Sequence, residues 1–98
     1  MAEGLDTIDA IAMEIAPILK NGGVTEASVF GSVARGEATG KSDLDLLVRY
    51  RKGLSLFDVG DLLTKLEQKT GRRVDLVSID YLKPRLKKHV MKDLVRIL

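Results

Sequence analysis

Residues 31–45 read GSVARGEATGKSDLD, and this stretch decides how the rest of the chain is interpreted. Gly31 and Ser32 are followed, after ten residues, by Asp43 and Asp45, which flank a single leucine. Because alternate side chains of an extended strand share a face, both carboxylates are predicted to point the same way. Adjacent like charges repel, and a divalent cation between them relieves that repulsion. The pair therefore predicts a magnesium site; the plain alternative is two aspartates that face solvent on a half-exposed sheet.

The Gly-Ser pair adds a second function to the same stretch. Glycine lets the backbone approach a ligand closely, and N–H groups at the start of a helical turn attract phosphate. Gly31 and Ser32 are therefore predicted to form a phosphate cradle. A cradle beside a carboxylate pair indicates phosphoryl or nucleotidyl transfer.

Asp75 is a third candidate acid, and it lies in the predicted strand Val74–Ser78. Its apolar neighbours predict a buried strand, in which an unpaired carboxylate is costly. If this strand adjoins the one that carries Asp43 and Asp45, the three acids would surround one or two metal ions, and Asp75 could also act as a general base. The alternative is an ion pair with a nearby arginine: Arg49, Arg72 or Arg73.

Several basic residues are weaker candidates. Arg35 and Lys41 could neutralise the charge of a triphosphate, although a structural bond for Arg35 and a solvated position for Lys41 are the simpler expectations. His89 is expected on the surface. The basic face of residues 83–92 is expected to be solvated, with an acidic partner or RNA as the alternative.

Composition indicates one ordinary globular domain over residues 1–98. The chain is 45% hydrophobic and 31% charged, and its net charge of +2 does not by itself indicate nucleic-acid binding. The lack of cysteine excludes disulfides and thiolate metal sites. No apolar run approaches the roughly 20 residues that span a bilayer, and no secretory signal is recognisable. We therefore expect a cytoplasmic protein.

The first half of the chain predicts a helix, two strands and a short turn. Apolar residues recur at helical spacing over residues 5–19, with Asp6 or Thr7 as N-cap, Pro17 as a possible kink and residues 21–23 as the end. The later predicted elements are a strand at Val24–Phe30, a helical turn at 32–35, a loop at 37–42 and a strand at 43–50.

The second half predicts a helix, a strand and a final helix. Ser55 is the predicted N-cap of a helix that runs to about Thr70, with these residues inward: Leu56, Val59, Leu62, Leu63 and Leu66. After the strand Val74–Ser78, Pro84 begins the last helix, whose apolar stripe is Leu86, Val90, Leu94 and Leu98. This order predicts an α+β fold with a small mixed β-sheet flanked by helices.

Two segments together carry a family resemblance. Residues 29–36, VFGSVARG, and residues 42–48, SDLDLLV, resemble the DNA polymerase β-like nucleotidyltransferase superfamily. More narrowly, they resemble the minimal nucleotidyltransferases that are paired with HEPN proteins. Residues 74–77 are similar to the third acidic strand of that family, and residues 82–85 to the segment before its last helix.

The resemblance implies both a fold and a reaction. It implies a minimal polymerase β-like core, in which Asp43, Asp45 and Asp75 bind two Mg²⁺ ions and Gly31 and Ser32 bind ATP. It implies transfer of AMP to a hydroxyl of a protein partner, a tyrosine of a HEPN ribonuclease toxin, with this chain as the antitoxin in a hetero-oligomer.

Two other functions stay open at this stage. The chain could neutralise a partner by binding alone, with catalysis dispensable. It could also act on a small molecule such as an aminoglycoside, although the lack of an appended substrate domain in 98 residues argues against this.

Overall fold

The computed structural model describes residues 8–37 and 42–98. The predicted N-cap at Asp6 or Thr7, the middle of the predicted loop and Lys41 lie outside these residues. The described elements follow in this order: α1 (Ile8–Asn21), β1 (Val24–Phe30), α2 (Gly31–Ala34), β2 (Leu44–Tyr50), α3 (Leu56–Thr70), β3 (Val74–Ser78), a 3₁₀ helix (Ile79–Tyr81), α4 (Pro84–Met91) and β4 (Val95–Arg96).

The four strands form one mixed sheet in the order β3-β2-β1-β4. β1 runs antiparallel to β2, and β2 runs parallel to β3. The register pairs Phe30 with Asp45 across the first of these ladders and Asp45 with Asp75 across the second. The predicted α+β fold with a small mixed sheet is therefore confirmed.

The core lies between the sheet and the two longest helices. Its largest fully buried side chains include Ile15 and Leu19 of α1 and Leu62 and Leu66 of α3. Burial of each contributes about 1.5–3 kcal/mol relative to an exposed position. The central strand β2 is buried on both faces, because Leu47 is 2% exposed on one face and Leu46 and Val48 are fully buried on the other. Strand β2 is thereby held rigidly, and it carries Asp45.

Helix α3 begins and ends where the sequence predicts. The Ser55 hydroxyl accepts a hydrogen bond from the Asp58 N–H, and the Asp58 carboxylate accepts one from the Ser55 N–H. Two hydrogen bonds lower the pKa of the Asp58 carboxyl: the bond from the Ser55 N–H has the larger effect, and a bond from the Ser55 hydroxyl has the smaller one. The prediction that Leu56 faces inward is wrong: it is 89% exposed. Residues 55–58 are all exposed, so the first turn projects beyond the packed part of the helix.

The C-terminal segment also departs from the prediction. Helix α4 ends at Met91, and Val90 is its one buried residue, so the apolar stripe predicted to reach Leu98 is wrong. Residues Val95–Arg96 instead form β4 against β1, and the Ile97 N–H donates to the Ala27 carbonyl at 2.9 Å. The open edge of β1 has backbone groups that need partners, and these residues supply them.

No helix within residues 8–37 and 42–98 has the length and hydropathy needed to cross a membrane. The cytoplasmic location stays a prediction.

Candidate active site

Gly31 lies directly against the carboxylate of Asp45. Phe30, the last residue of β1, pairs with Asp45 of β2, so the chain turns into α2 beside that side chain. Gly31 has a φ of 76°, and a Cβ added there would come closer than 3.0 Å to Asp45 Oδ2. Real Cβ atoms essentially never approach a heavy atom so closely. Glycine is therefore required here by the neighbouring carboxylate, besides any role in binding phosphate.

Asp45 and Asp75 are neighbours across the parallel ladder of β2 and β3. Adjacent strands lie about 4.8 Å apart, so the two carboxylates are close enough to interact. Asp43 immediately precedes β2, two residues before Asp45. Asp45 is half-buried, whereas Asp43 and Asp75 are exposed. The predicted burial at Asp75 is wrong, because β3 is an edge strand of the sheet.

Two of the three arginines proposed as alternative partners of Asp75 have other contacts. Arg49 lies 3.7 Å from Glu26 and 3.6 Å from Asp80. Arg72 is buried and donates a 2.8 Å hydrogen bond to the Ser42 carbonyl. Asp75 has no ion pair with any residue in the described part of the chain. Its carboxylate is therefore available to a ligand.

The site has a surplus of negative charge. The pKa of Asp45 is raised, first because the carboxylate is partly buried and then because Asp75 and Asp43 lie near it; Arg35 acts in the opposite direction. A divalent cation would relieve this repulsion, and carboxylate oxygens are the ligands that Mg²⁺ prefers. The acids thus fit a magnesium ion chemically. Among residues 8–37 and 42–98, however, no three acidic, histidine or cysteine side chains already form a metal-binding cluster, so the triad stays a prediction.

Ser32 lies in the single turn of α2, directly after Gly31. Phe30 is the N-cap of this turn, and its side chain has no oxygen to cap the first N–H groups. Val33, in the same turn, is buried in the core and anchors α2 against the sheet. The geometry is compatible with a phosphate at this turn, and the role of Gly31 and Ser32 in binding one stays a prediction.

Arg35 has a structural role in this structure. Its Nε lies 2.8 Å from Glu37 Oε1, and its Nη1 lies 3.4 Å from Asp93 Oδ2. These hydrogen bonds raise the pKa of Arg35 above its ordinary value, and the bond to Glu37 has a larger effect than the bond to Asp93. The contact with Asp93 joins the end of α2 to a residue 58 positions later, which no local sequence signal could have indicated. The role of Arg35 in nucleotide binding stays a prediction, and His89 is exposed as expected.

The comparisons with known proteins agree with this geometry. The family model described as "Nucleotidyltransferase domain" matches residues 12–97, which include every site residue discussed above. The chain belongs to this nucleotidyltransferase family.

Two relatives and one solved structure show which members this nucleotidyltransferase is similar to. A protein of Methanocaldococcus jannaschii named as a candidate protein adenylyltransferase is 40% identical over 93% of this chain and 98% of its own length. The protein adenylyltransferase MntA of Thermococcus cleftensis is 43% identical over 76% of each chain. A Shewanella oneidensis structure, described as a tri-AMPylated HEPN toxin in complex with the MNT antitoxin, superposes with a TM-score of 0.70 at 20% identity. It covers 92% of this chain and 71% of the other, and at that identity it shows the fold.

Proposed function

We propose that this nucleotidyltransferase transfers AMP from ATP to a hydroxyl of a protein partner. The acceptor is a tyrosine of a HEPN-family ribonuclease toxin, which the modification silences, so the chain acts as an antitoxin. The observation that carries the proposal is the arrangement of Gly31 against Asp45 with Asp75 in register beside it. The names of the curated relatives support adenylyl transfer, and the toxin complex supports the type of partner.

The reaction places a different demand on each part of the site. The acceptor oxygen attacks the α-phosphorus of ATP, the bond from that phosphorus to the bridging oxygen breaks, and pyrophosphate leaves. Gly31 and Ser32 hold the β- and γ-phosphates through backbone N–H groups and the hydroxyl. Asp75, exposed at the sheet edge, accepts the proton of the attacking hydroxyl.

Asp43, Asp45 and Asp75 are the residues that would hold Mg²⁺. The ion would supply neutralisation of the charge that develops on the phosphates during transfer. Burial of Leu44, Leu46 and Leu47 fixes the backbone on either side of Asp45. That rigidity keeps the carboxylate in place against the repulsion of its neighbours.

The direct test follows the label of ATP. The protein is incubated with Mg²⁺, ATP labelled in the α-phosphate and a candidate HEPN protein, and mass spectrometry locates the added AMP. We expect AMP on a partner tyrosine with the wild-type chain and none with Asp45→Asn. The matched control is Asp61→Asn, which makes the same charge change on α3 at an exposed i,i+4 ion pair with Lys65. This control should modify the partner normally.

Two results would reject the proposal. The first is no label on any partner while ATP stays intact. The second is equal labelling by wild type and Asp45→Asn.

Neutralisation by binding alone is the second candidate function. It is favoured by Leu56 and Phe57, which are 89% and 90% exposed in the first turn of α3, because exposed apolar surface indicates protein contacts. The double variant Asp43→Asn with Asp45→Asn separates the two functions. If it still neutralises the partner in cells, binding suffices and the catalytic role is lost.

A further inference from the structure

Residues 83–92 have a charge distribution unlike the rest of the chain. They contain five cations and no acid, while the whole chain has a net charge of only +2. The remainder of the molecule is therefore net negative. The five cations are Lys83, Arg85, Lys87, Lys88 and Lys92.

Two of these cations, Lys83 and Arg85, lie at the start of helix α4, where they disfavour it. Lys83 is the N-cap and makes no side-chain capping bond, and the first turn contains Arg85 but no acid. The N-terminus of a helix is its positive end, so cations there are unfavourable. Lys88, in the last turn, and the C-cap residue Lys92 lie at the negative end of the helix, where cations are favourable, but they form an i,i+4 pair of like charges. Local rules that a sequence breaks without visible compensation indicate a functional site.

The same chain follows these rules in its other long helices. Helix α3 has a capping box at Ser55 and Asp58 and a cation, Lys69, in its last turn. Helix α1 has Asp9 in its first turn and Lys20 in its last. Helix α4 differs from them at its start, where it has a cation and no acid, whereas its last turn contains Lys88 and follows the rule as theirs do.

Three of the cations form one continuous outward surface. Arg85, Lys88 and Lys92 are spaced i, i+3, i+7, which places them on the helix face opposite Val90, the buried residue of α4. We call these three residues the cationic face. All five cations of residues 83–92 are exposed, and none forms an ion pair with a residue of the described segments 8–37 and 42–98.

We propose that the cationic face binds the phosphate backbone of a nucleic acid. Lysine and arginine supply most contacts to phosphates, whereas protein–protein interfaces have apolar and aromatic centres and are depleted in lysine. The cationic face has no aromatic or aliphatic side chain at its centre. Phosphates along the helix would relieve the repulsion between these cations. This binding is independent of the proposed adenylyl transfer and needs neither ATP nor Mg²⁺.

The test measures binding of a fluorescent oligouridylate and of the matching oligothymidylate by anisotropy, without nucleotide or metal. We expect dissociation constants of about 10⁻⁴–10⁻⁶ M at physiological salt and tighter binding at low salt. Because the contacts are to phosphates, both oligomers should bind. Three to five neutralised phosphates predict a loss of about 20- to 130-fold in affinity between about 50 mM and about 200 mM salt.

A pair of variants with identical charge change assigns the binding to α4. In the first variant, Arg85, Lys88 and Lys92 are each changed to Glu; in the control, the exposed residues Lys20, Lys52 and Lys69 are each changed to Glu. We expect the first to bind at least about 10-fold more weakly than the control. A third variant with glutamine at the three positions of the cationic face avoids new acids and should also bind more weakly than wild type.

Three outcomes would overturn the inference. One is no anisotropy change up to about 100 µM protein at low salt. Another is an equal loss of affinity in the first variant and its control, which would mean that only net charge matters. The last is displacement of the oligomer by polyglutamate as effectively as by an unlabelled oligomer of equal charge, which would mean that the cationic face does not distinguish phosphates from carboxylates.

Discussion

Substitution of Gly31 by alanine tests the close contact between Gly31 and the Asp45 carboxylate. Gly31 has a φ of 76°, and its added Cβ would overlap Asp45 Oδ2. Gly36 is the matched control, since its φ is 75° and a Cβ there would meet nothing within 4 Å. Both substitutions carry the same backbone cost of about 1–2 kcal/mol for a left-handed alanine. Only Gly31→Ala also displaces Asp45.

The displacement of Asp45 determines how much more Gly31→Ala destabilises the fold than Gly36→Ala does. Overpacking of this kind costs about 1–3 kcal/mol, so Gly31→Ala should lose about 2–5 kcal/mol of unfolding free energy, against about 1–2 for Gly36→Ala. For a domain of this length each kcal/mol lowers Tm by about 4–8 °C. Urea or thermal unfolding of the two purified variants measures the difference directly. AMP transfer should fall at least about 100-fold in Gly31→Ala, because Asp45 moves, and stay near wild type in Gly36→Ala.

A double-mutant cycle shows whether Asp45 is the cause. In an Asp45→Ala background the displaced oxygen is gone, so Gly31→Ala should cost no more than Gly36→Ala. The coupling between Gly31 and Asp45 should therefore be about 1–3 kcal/mol. Equal destabilisation by the two glycine variants in the wild-type background, or an excess that persists without the Asp45 side chain, would refute this reasoning.

Three further predictions concern charge, capping and packing. Because the pKa of Asp45 is raised in the folded protein, ionisation of this carboxyl lowers the free energy of unfolding at pH values above the raised pKa. This cost vanishes below 3.8, the ordinary pKa of an aspartate. Asp45→Asn should therefore raise Tm near neutral pH in metal-free buffer. Mg²⁺ should raise the Tm of wild type more than that of this variant. Ser55→Ala should cost about 0.5–2 kcal/mol through loss of the α3 cap, whereas Thr64→Ala, on the same helix, should be nearly neutral. Leu66→Ala should cost about 2–5 kcal/mol, and Leu56→Ala less than about 0.5.

Each of these three predictions would be contradicted by a specific result. A lower Tm for Asp45→Asn across the whole pH range would show that the carboxylate is not under electrostatic strain. Equal unfolding free energies for Ser55→Ala and Thr64→Ala would show that the capping box adds nothing. A large loss of stability in Leu56→Ala would mean that the first turn of α3 is packed after all.

Local patterns were sufficient for most of the fold because their residues act on near neighbours. The strands Val24–Phe30 and Val74–Ser78 were predicted with the observed boundaries, since short runs rich in β-branched and apolar residues favour an extended backbone. Helix α3 was predicted with the observed N-cap and end because Ser55 and Gly71 mark its two ends chemically.

The same patterns failed where an element ends at the edge of the packed layer. Leu56 has the right helical spacing to be buried, but spacing does not say how far the helix extends past the sheet. Leu94 continues the stripe of Val90, yet α4 ends before it, because the backbone of the next residues pairs with β1. Periodicity cannot indicate such long-range pairing.

The sequence by itself determined the family and predicted the site residues. A glycine turn, a hydroxyl and three carboxylates at characteristic spacing indicate both, since those side-chain types and their order along the chain do not depend on the fold. Only the tertiary structure decided how they meet. The pairing of Phe30 with Asp45 places Gly31 against that carboxylate, and the parallel register of β2 with β3 places Asp75 beside it. Register is a property of two strands together, so no single segment of the chain contains it.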